Sequence, residues 1–196
     1  MSGAWVNILN GFREILSAPL RDLSILWLLA PVVLFWFILE VYFGRYKKES
    51  LGWNTALGNG LNLFWIVVIS FRALFMDTDL FSIDKLIFVI FITLYSAFII
   101  LISFTHKVRE KIFFLFASPT IVYYLSGIAI LWIHDLINIQ LWVIIDLIVL
   151  YMVILILETI LKKLIPPATR ESGLESSMGT EFNTGAGNIE GNLGKI

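Results

Sequence analysis

The amino-acid sequence predicts an all-α, polytopic integral membrane bundle of about five transmembrane helices, preceded by an N-terminal amphipathic interfacial helix. Three observations carry that reading. First, of 196 residues 59% are hydrophobic and 15% charged, with a mean hydropathy of +0.88; soluble domains run about 45–50% apolar and about 25% charged. Second, of 14 basic and 15 acidic residues only Glu40, Arg72, Asp146 and Glu158 fall inside the long apolar runs beyond their first turn. Third, those runs reach the roughly 20 residues that a helix needs to cross hydrocarbon. Runs such as LIFVIFITLYSAFIILISF also lack the alternation of barrel strands of about 10 residues.

The first segment, 1–22, places Trp5, Ile8, Leu9, Phe12, Ile15 and Leu16 at helical spacing, with Asn7, Asn10, Arg13 and Glu14 between them. Such a helix lies in the membrane interface and ends near Pro19; packing on the rim of the bundle is the equal alternative. The segment is not expected to be a cleavable signal, since it lacks a basic start and a small-residue cleavage site. The transmembrane domain is expected over 23–165, with spans at about 23–43, 55–75, 83–104, 112–134 and 141–161. Pro31 falls mid-span and is expected to kink the first span rather than start it. Ser118-Pro119 leaves two readings: a continuous fourth span, or Ser118 as N-cap with Pro119 at the first helical position. In the second reading Ile112–Ala117 lies along the interface. Lys162, Lys163 and Pro166-Pro167 end the last helix, and 166–196 is rich in Gly, Ser, Asn and Glu, as expected of a disordered cytoplasmic tail.

A net charge of −1 carries no basic footprint for nucleic acid, and the absence of cysteine removes disulfides and thiol chemistry. Basic residues in short loops mark the cytoplasmic side. Arg45, Lys47, Lys48, Lys107, Arg109, Lys111, Lys162, Lys163 and Arg170 share one face of a five-span chain, against Arg13, Arg21 and Lys85 on the other. The expected topology is N-terminus outside, C-terminus cytoplasmic.

On a helical wheel of the second span, Thr55, Gly58, Asn59, Asn62, Ser70, Arg72 and Ala73 fall within roughly 80° of Asn62. Leu61, Leu63, Phe64, Val67, Val68, Phe71, Leu74 and Phe75 fall opposite, and Gly60 alone is a small residue on the bulky side. The polar stripe is expected to face protein, as helix glue or as the lining of a solute path. Charges in hydrocarbon cost about 2.5–3.5 kcal/mol each and need partners. Glu158 has Lys162 four residues on, in the favourable order, and Glu40 lies near Arg45 and Lys47 at the same membrane edge. Arg72 and Asp146 sit roughly 10 Å and 7.5 Å from their span centres, both toward the outer face. Two readings follow: an interhelical Arg72–Asp146 salt bridge, or an Arg72 that snorkels to the membrane edge. The candidate intramembrane polar site is therefore Asn59, Asn62, Arg72 and Asp146.

His106 and His134 lie at opposite membrane edges and cannot share a metal. Asp77, Asp79, Ser82 and Asp84 read as a solvated acidic loop rather than a cation site, with Phe81 where a ligand would be needed. Trp27, Trp36, Trp132 and Trp142, with Tyr42 and Tyr46, read as interface anchors or packing. No catalytic set, metal centre or cofactor motif is recognised. The expected function is a non-enzymatic scaffold, assembly partner or accessory subunit, partnered by the lipid bilayer and by another membrane protein or a second copy. The alternative is a small transporter or channel built on the second-helix stripe and an Arg72–Asp146 pair.

Overall fold

A computed structural model of the chain describes residues 2–46 and 51–166. Lys47, Lys48 and, but for residue 166, the expected tail lie outside the described residues. Within them the chain is helical, without strands. The helices are α1 (Ser2–Arg21), α2 (Leu26–Arg45), α3 (Trp53–Met76), α4 (Ile83–Thr105), α5 (Glu110–Phe116), α6 (Pro119–Ile133) and α7 (Leu141–Leu164). Five stretches are long and apolar enough to cross a membrane: Leu23–Arg45, Trp53–Met76, Ile83–Thr105, Glu110–Ile133 and Leu141–Leu164.

Local chemistry sets the joints. Asp22 accepts a hydrogen bond from the Ser24 amide at 2.9 Å and turns the chain from α1 into a short 3-10 turn leading to α2. Pro19 lies within the last turn of α1, which runs on to Arg21, and Pro31 lies inside α2 rather than at its start. His106 ends α4 in the left-handed region at φ 52°. The fourth stretch is broken: α5 stops at Phe116, Ser118 caps α6 by accepting from the Ile121 amide, and Pro119 takes the first helical position. Proline lacks the amide hydrogen that an uninterrupted helix would need there.

α6 is the hub of the bundle. It packs against α2, α3, α4 and α7, while α3 lies along α4 and α1 lies along α7. The inward face of α1 is Gly11, Ile15 and Ala18, and its exposed face carries Trp5, Leu9, Leu16 and Leu20. The rim-packing reading of this helix thus has a contact in the structure.

The packing face of α3 departs from expectation. Ala56, Asn59, Gly60, Leu63, Ile66, Val67, Ser70 and Leu74 are buried, whereas Gly58 and Arg72 are exposed. The inward face is turned from Asn62 by roughly one residue step, about 100°. Membrane helices associate through close van der Waals packing as much as through polarity, and Gly60 supplies the close approach. A Cβ there would stand 2.9 Å from Ile99 Cγ2 and 3.3 Å from the Ile100 nitrogen.

The two ends of the bundle differ in charge. At one end, buried Lys85 contacts Asp135 at 2.7 Å and donates to the carbonyls of Leu80 at 3.0 Å and Ile133 at 3.4 Å. Arg21 donates to the carbonyl of Leu136, and the Asn138 amide donates to Glu14 at 2.6 Å. Asp22, Asp77 and Asp79 border this acidic end. At the other end, which carries Arg45, Lys107, Arg109 and Lys111, Trp53 stacks on His106 at 4.2 Å and on Phe113 at 5.1 Å.

Candidate polar site at the basic end of the bundle

Of the four residues expected to form an intramembrane site, Asn59 and Asn62 share a groove, whereas Arg72 and Asp146 lie apart from it. Asn59 is buried and donates to the carbonyl of Ala117 at 2.8 Å, a group that the break between α5 and α6 frees. Asn62 lines a groove of about 520 Å³ between α2 and α3 with Thr55, Asn59, Phe35 and Tyr123, and its Nδ2 is buried without a partner. Arg72 is exposed one turn before the acidic connector.

Asp146 is fully buried, and neither of its carboxyl oxygens has a hydrogen-bond partner. It lies over Gly11 of α1, where an added Cβ would come within 1.9 Å of Oδ2. The Arg72–Asp146 salt bridge is therefore not formed. The reason is which faces meet: α1 covers the face of α7 that carries Asp146, while α3 packs on α4 and α6.

A different cluster gathers at the basic end. Glu40 comes from α2, Thr120 from the first turn of α6, and Glu158 and Lys162 from α7. The Thr120 hydroxyl stands 2.6 Å from Glu158 Oε2 and 3.2 Å from Glu40 Oε1. Lys162 bonds to Glu158 Oε1, the expected pair four residues apart. Its ammonium also stands 2.9 Å from Glu40 Oε2. That second contact is one of charge without hydrogen-bond alignment, and Glu40 Oε2 accepts no hydrogen bond. Glu40, expected to look to Arg45 and Lys47, makes contacts across the bundle to α6 and α7; Lys47 lies outside the described residues.

Exposure is graded through the cluster. The side chains of Glu40, Glu158 and Lys162 are 2%, 17% and 35% exposed. They border a cleft of about 670 Å³ with Ser118, Thr159 and Lys163. A second cavity of about 220 Å³ lies between α2, α6 and α7, lined by Trp36, Tyr124, Leu131, Leu147 and, from α1, Ile15. Thr120 belongs to the wall of both.

The opposite end holds the imidazole of His134. Its burial pushes the ring's pKa below the usual 6.5; Asp22 and Asp135 oppose that shift and Lys85 reinforces it. Among the described residues no group of three or more His, Cys, Asp or Glu side chains could hold a metal ion.

Sequence reasoning found each of Glu40 and Glu158 but gave them separate partners at the membrane edge. Thr120 went unremarked, although it follows directly on the Ser118-Pro119 helix start. The available signal was two acids on two apolar spans at the same edge, with a new helix beginning between them. No family model, curated protein or solved structure matches the chain.

Proposed function

We propose that the chain is a small multi-pass membrane protein that moves protons or small cations along the interface of α2, α6 and α7. One observation carries the proposal: Thr120, held between two carboxylates, forms part of the wall of both the basic-end cleft and the cavity beyond it. Ionisable side chains within transmembrane segments are rare, pair with one another, and mark ion paths and proton relays. Glu158 and Lys162 meet the solute at the cleft, Glu40 lies behind them, and α1 closes the far cavity through Ile15. In this reading the basic end faces the cytoplasm, because short basic connectors stay inside, and the exposed face of α1 beds in the outer interface.

The test is the full chain in lipid vesicles holding a trapped pH dye. The expected result is faster collapse of an imposed proton or ammonium gradient than in empty vesicles, with E158Q reducing it. Folded protein that passes neither protons, ammonium, sodium nor potassium would rule the proposal out.

A second reading, that of an assembly partner, has its own support. The groove between α2 and α3 is lined by Asn62, whose buried amide nitrogen lacks an acceptor. A helix of another membrane protein, or of a second copy, carrying a polar group would satisfy it. A stable complex kept in mild detergent by the native chain and lost in N62L supports this reading; a monomer in both cases rejects it.

A further inference from the structure

We infer that Glu40, Thr120 and Glu158 form a relay that holds one proton and hands it between the buried carboxyl of Glu40 and the cleft-facing carboxyl of Glu158. The argument is a count of donors. A threonine hydroxyl has one hydrogen and two lone pairs, and an ionised carboxylate only accepts. With both glutamates ionised, the hydrogen of Thr120 serves the shorter contact, 2.6 Å to Glu158 Oε2. The 3.2 Å contact to Glu40 Oε1 then sets two acceptors face to face. Glu40, 1% exposed, would then hold a charge faced by the Lys162 ammonium at 2.9 Å but with no aligned hydrogen bond to either oxygen. A buried carboxylate left in that state is costly.

One proton removes the conflict. Carried on Glu40 Oε1, it donates to a lone pair of Thr120, which donates to Glu158, which accepts from Lys162. The set then holds one carboxylate, one carboxylic acid and one ammonium, and is neutral in the membrane. Transfer balances in one concerted step. The O–H bond of Glu40 breaks as Thr120 Oγ1 takes that proton, and Thr120's own proton passes to Glu158 Oε2. The negative charge moves to Glu40, where Lys162 already stands 2.9 Å away, so the counter-ion need not move. Glu158, the more exposed carboxyl, exchanges the proton with water in the cleft. Lys163, in the cleft wall, and Tyr151, which feels the charge of Glu158, are the other titratable groups that face it.

This deepens the transport reading by naming the proton as the cation, and its test does not depend on flux. Infrared difference spectra of the full chain in phosphatidylcholine vesicles, recorded against pH, should show, beside the band of the unpartnered Asp146 carboxyl, a protonated-carboxyl band from the relay. E40Q should lose it while staying folded by circular dichroism, because the glutamine amide supplies the donor that Thr120 lacks. D146N should lose only the other band, which assigns the relay band away from the other buried acid. In heavy water T120V should slow the hydrogen–deuterium exchange of the relay band and T120S should restore it. Should T120V fail to fold, E40Q and D146N decide between them. A relay band that survives in E40Q, loss of both bands in D146N, or wild-type exchange in folded T120V would each overturn the relay. A relay band with this pattern but no flux would leave the relay standing and remove the transport reading; flux without the relay band would do the reverse.

Discussion

At Gly11 a methyl group has nowhere to go, because its carbon would lie 1.9 Å from a carboxyl oxygen of Asp146. Overpacking of this kind costs about 1–3 kcal/mol, and here the atom in the way is pinned between two helices. Gly58 is the contrast: nothing lies within 4 Å of a Cβ built there, and in a helix interior alanine exceeds glycine by about 0.8–1.0 kcal/mol. Thermal unfolding in detergent should therefore show G11A less stable than the native chain and G58A at least as stable; equal loss in both would discount the Asp146 contact.

His134 gives a prediction in pH. Its folded-state pKa lies below its unfolded value, so the fold favours the neutral ring. That contribution is complete above the unfolded value of about 6.5 and is lost as pH falls through the folded one. The melting temperature should drop across that window, and H134Q should flatten the drop. An identical profile in H134Q would place the acid sensitivity elsewhere.

Among elements, the helices themselves were legible because apolar length is an unambiguous signal once hydrocarbon is the solvent. The break at Ser118-Pro119 was legible as one of two readings, since serine and proline there have specific backbone roles. The rotation of α3 was not. A wheel drawn on polarity pointed Asn62 inward, but Ala56, Gly60, Leu63 and Val67 make the contact, and shape decides close packing where both solvent and protein are apolar. Cross-bundle partners were out of reach for the same reason: which face of α7 meets α1 or α2 is a tertiary choice, so Asp146 and Glu40 could not be assigned from spacing. Asn59 is the polar residue of α3 with a clear task, the carbonyl of Ala117. Interhelical hydrogen bonds in membranes average about 0.6 kcal/mol and reach about 1.7. N59L should cost an amount in that range and loosen the joint of α5 and α6, read as faster amide exchange around Ala117. Unchanged exchange would assign that joint to proline and the Ser118 cap alone.

For the whole molecule, charge is sorted to the two ends while the flanks stay apolar. Trp27, Phe75, Phe104 and Leu164 are among the large side chains left exposed, as lipid contact requires. The basic connectors make a directional prediction under the positive-inside rule: a reporter fused after Ile196 should be reachable from the cytoplasm only. Labelling from the outside alone would reverse the orientation and place the Glu40–Glu158 cleft on the external side.

The seat of α1 on α7 also bears on how the protein is made. A ribosome releases the chain from the N-terminus onward, so α1 emerges well before α7, the helix on which it has its berth. Until α7 is threaded, Gly11, Ile15 and Ala18 wait without a neighbour, and Asp146 enters the bilayer with its cover already in place. Closure of this seam thus waits for α7, and a nascent chain arrested before α7 would carry an unmated α1 for a chaperone or protease to find.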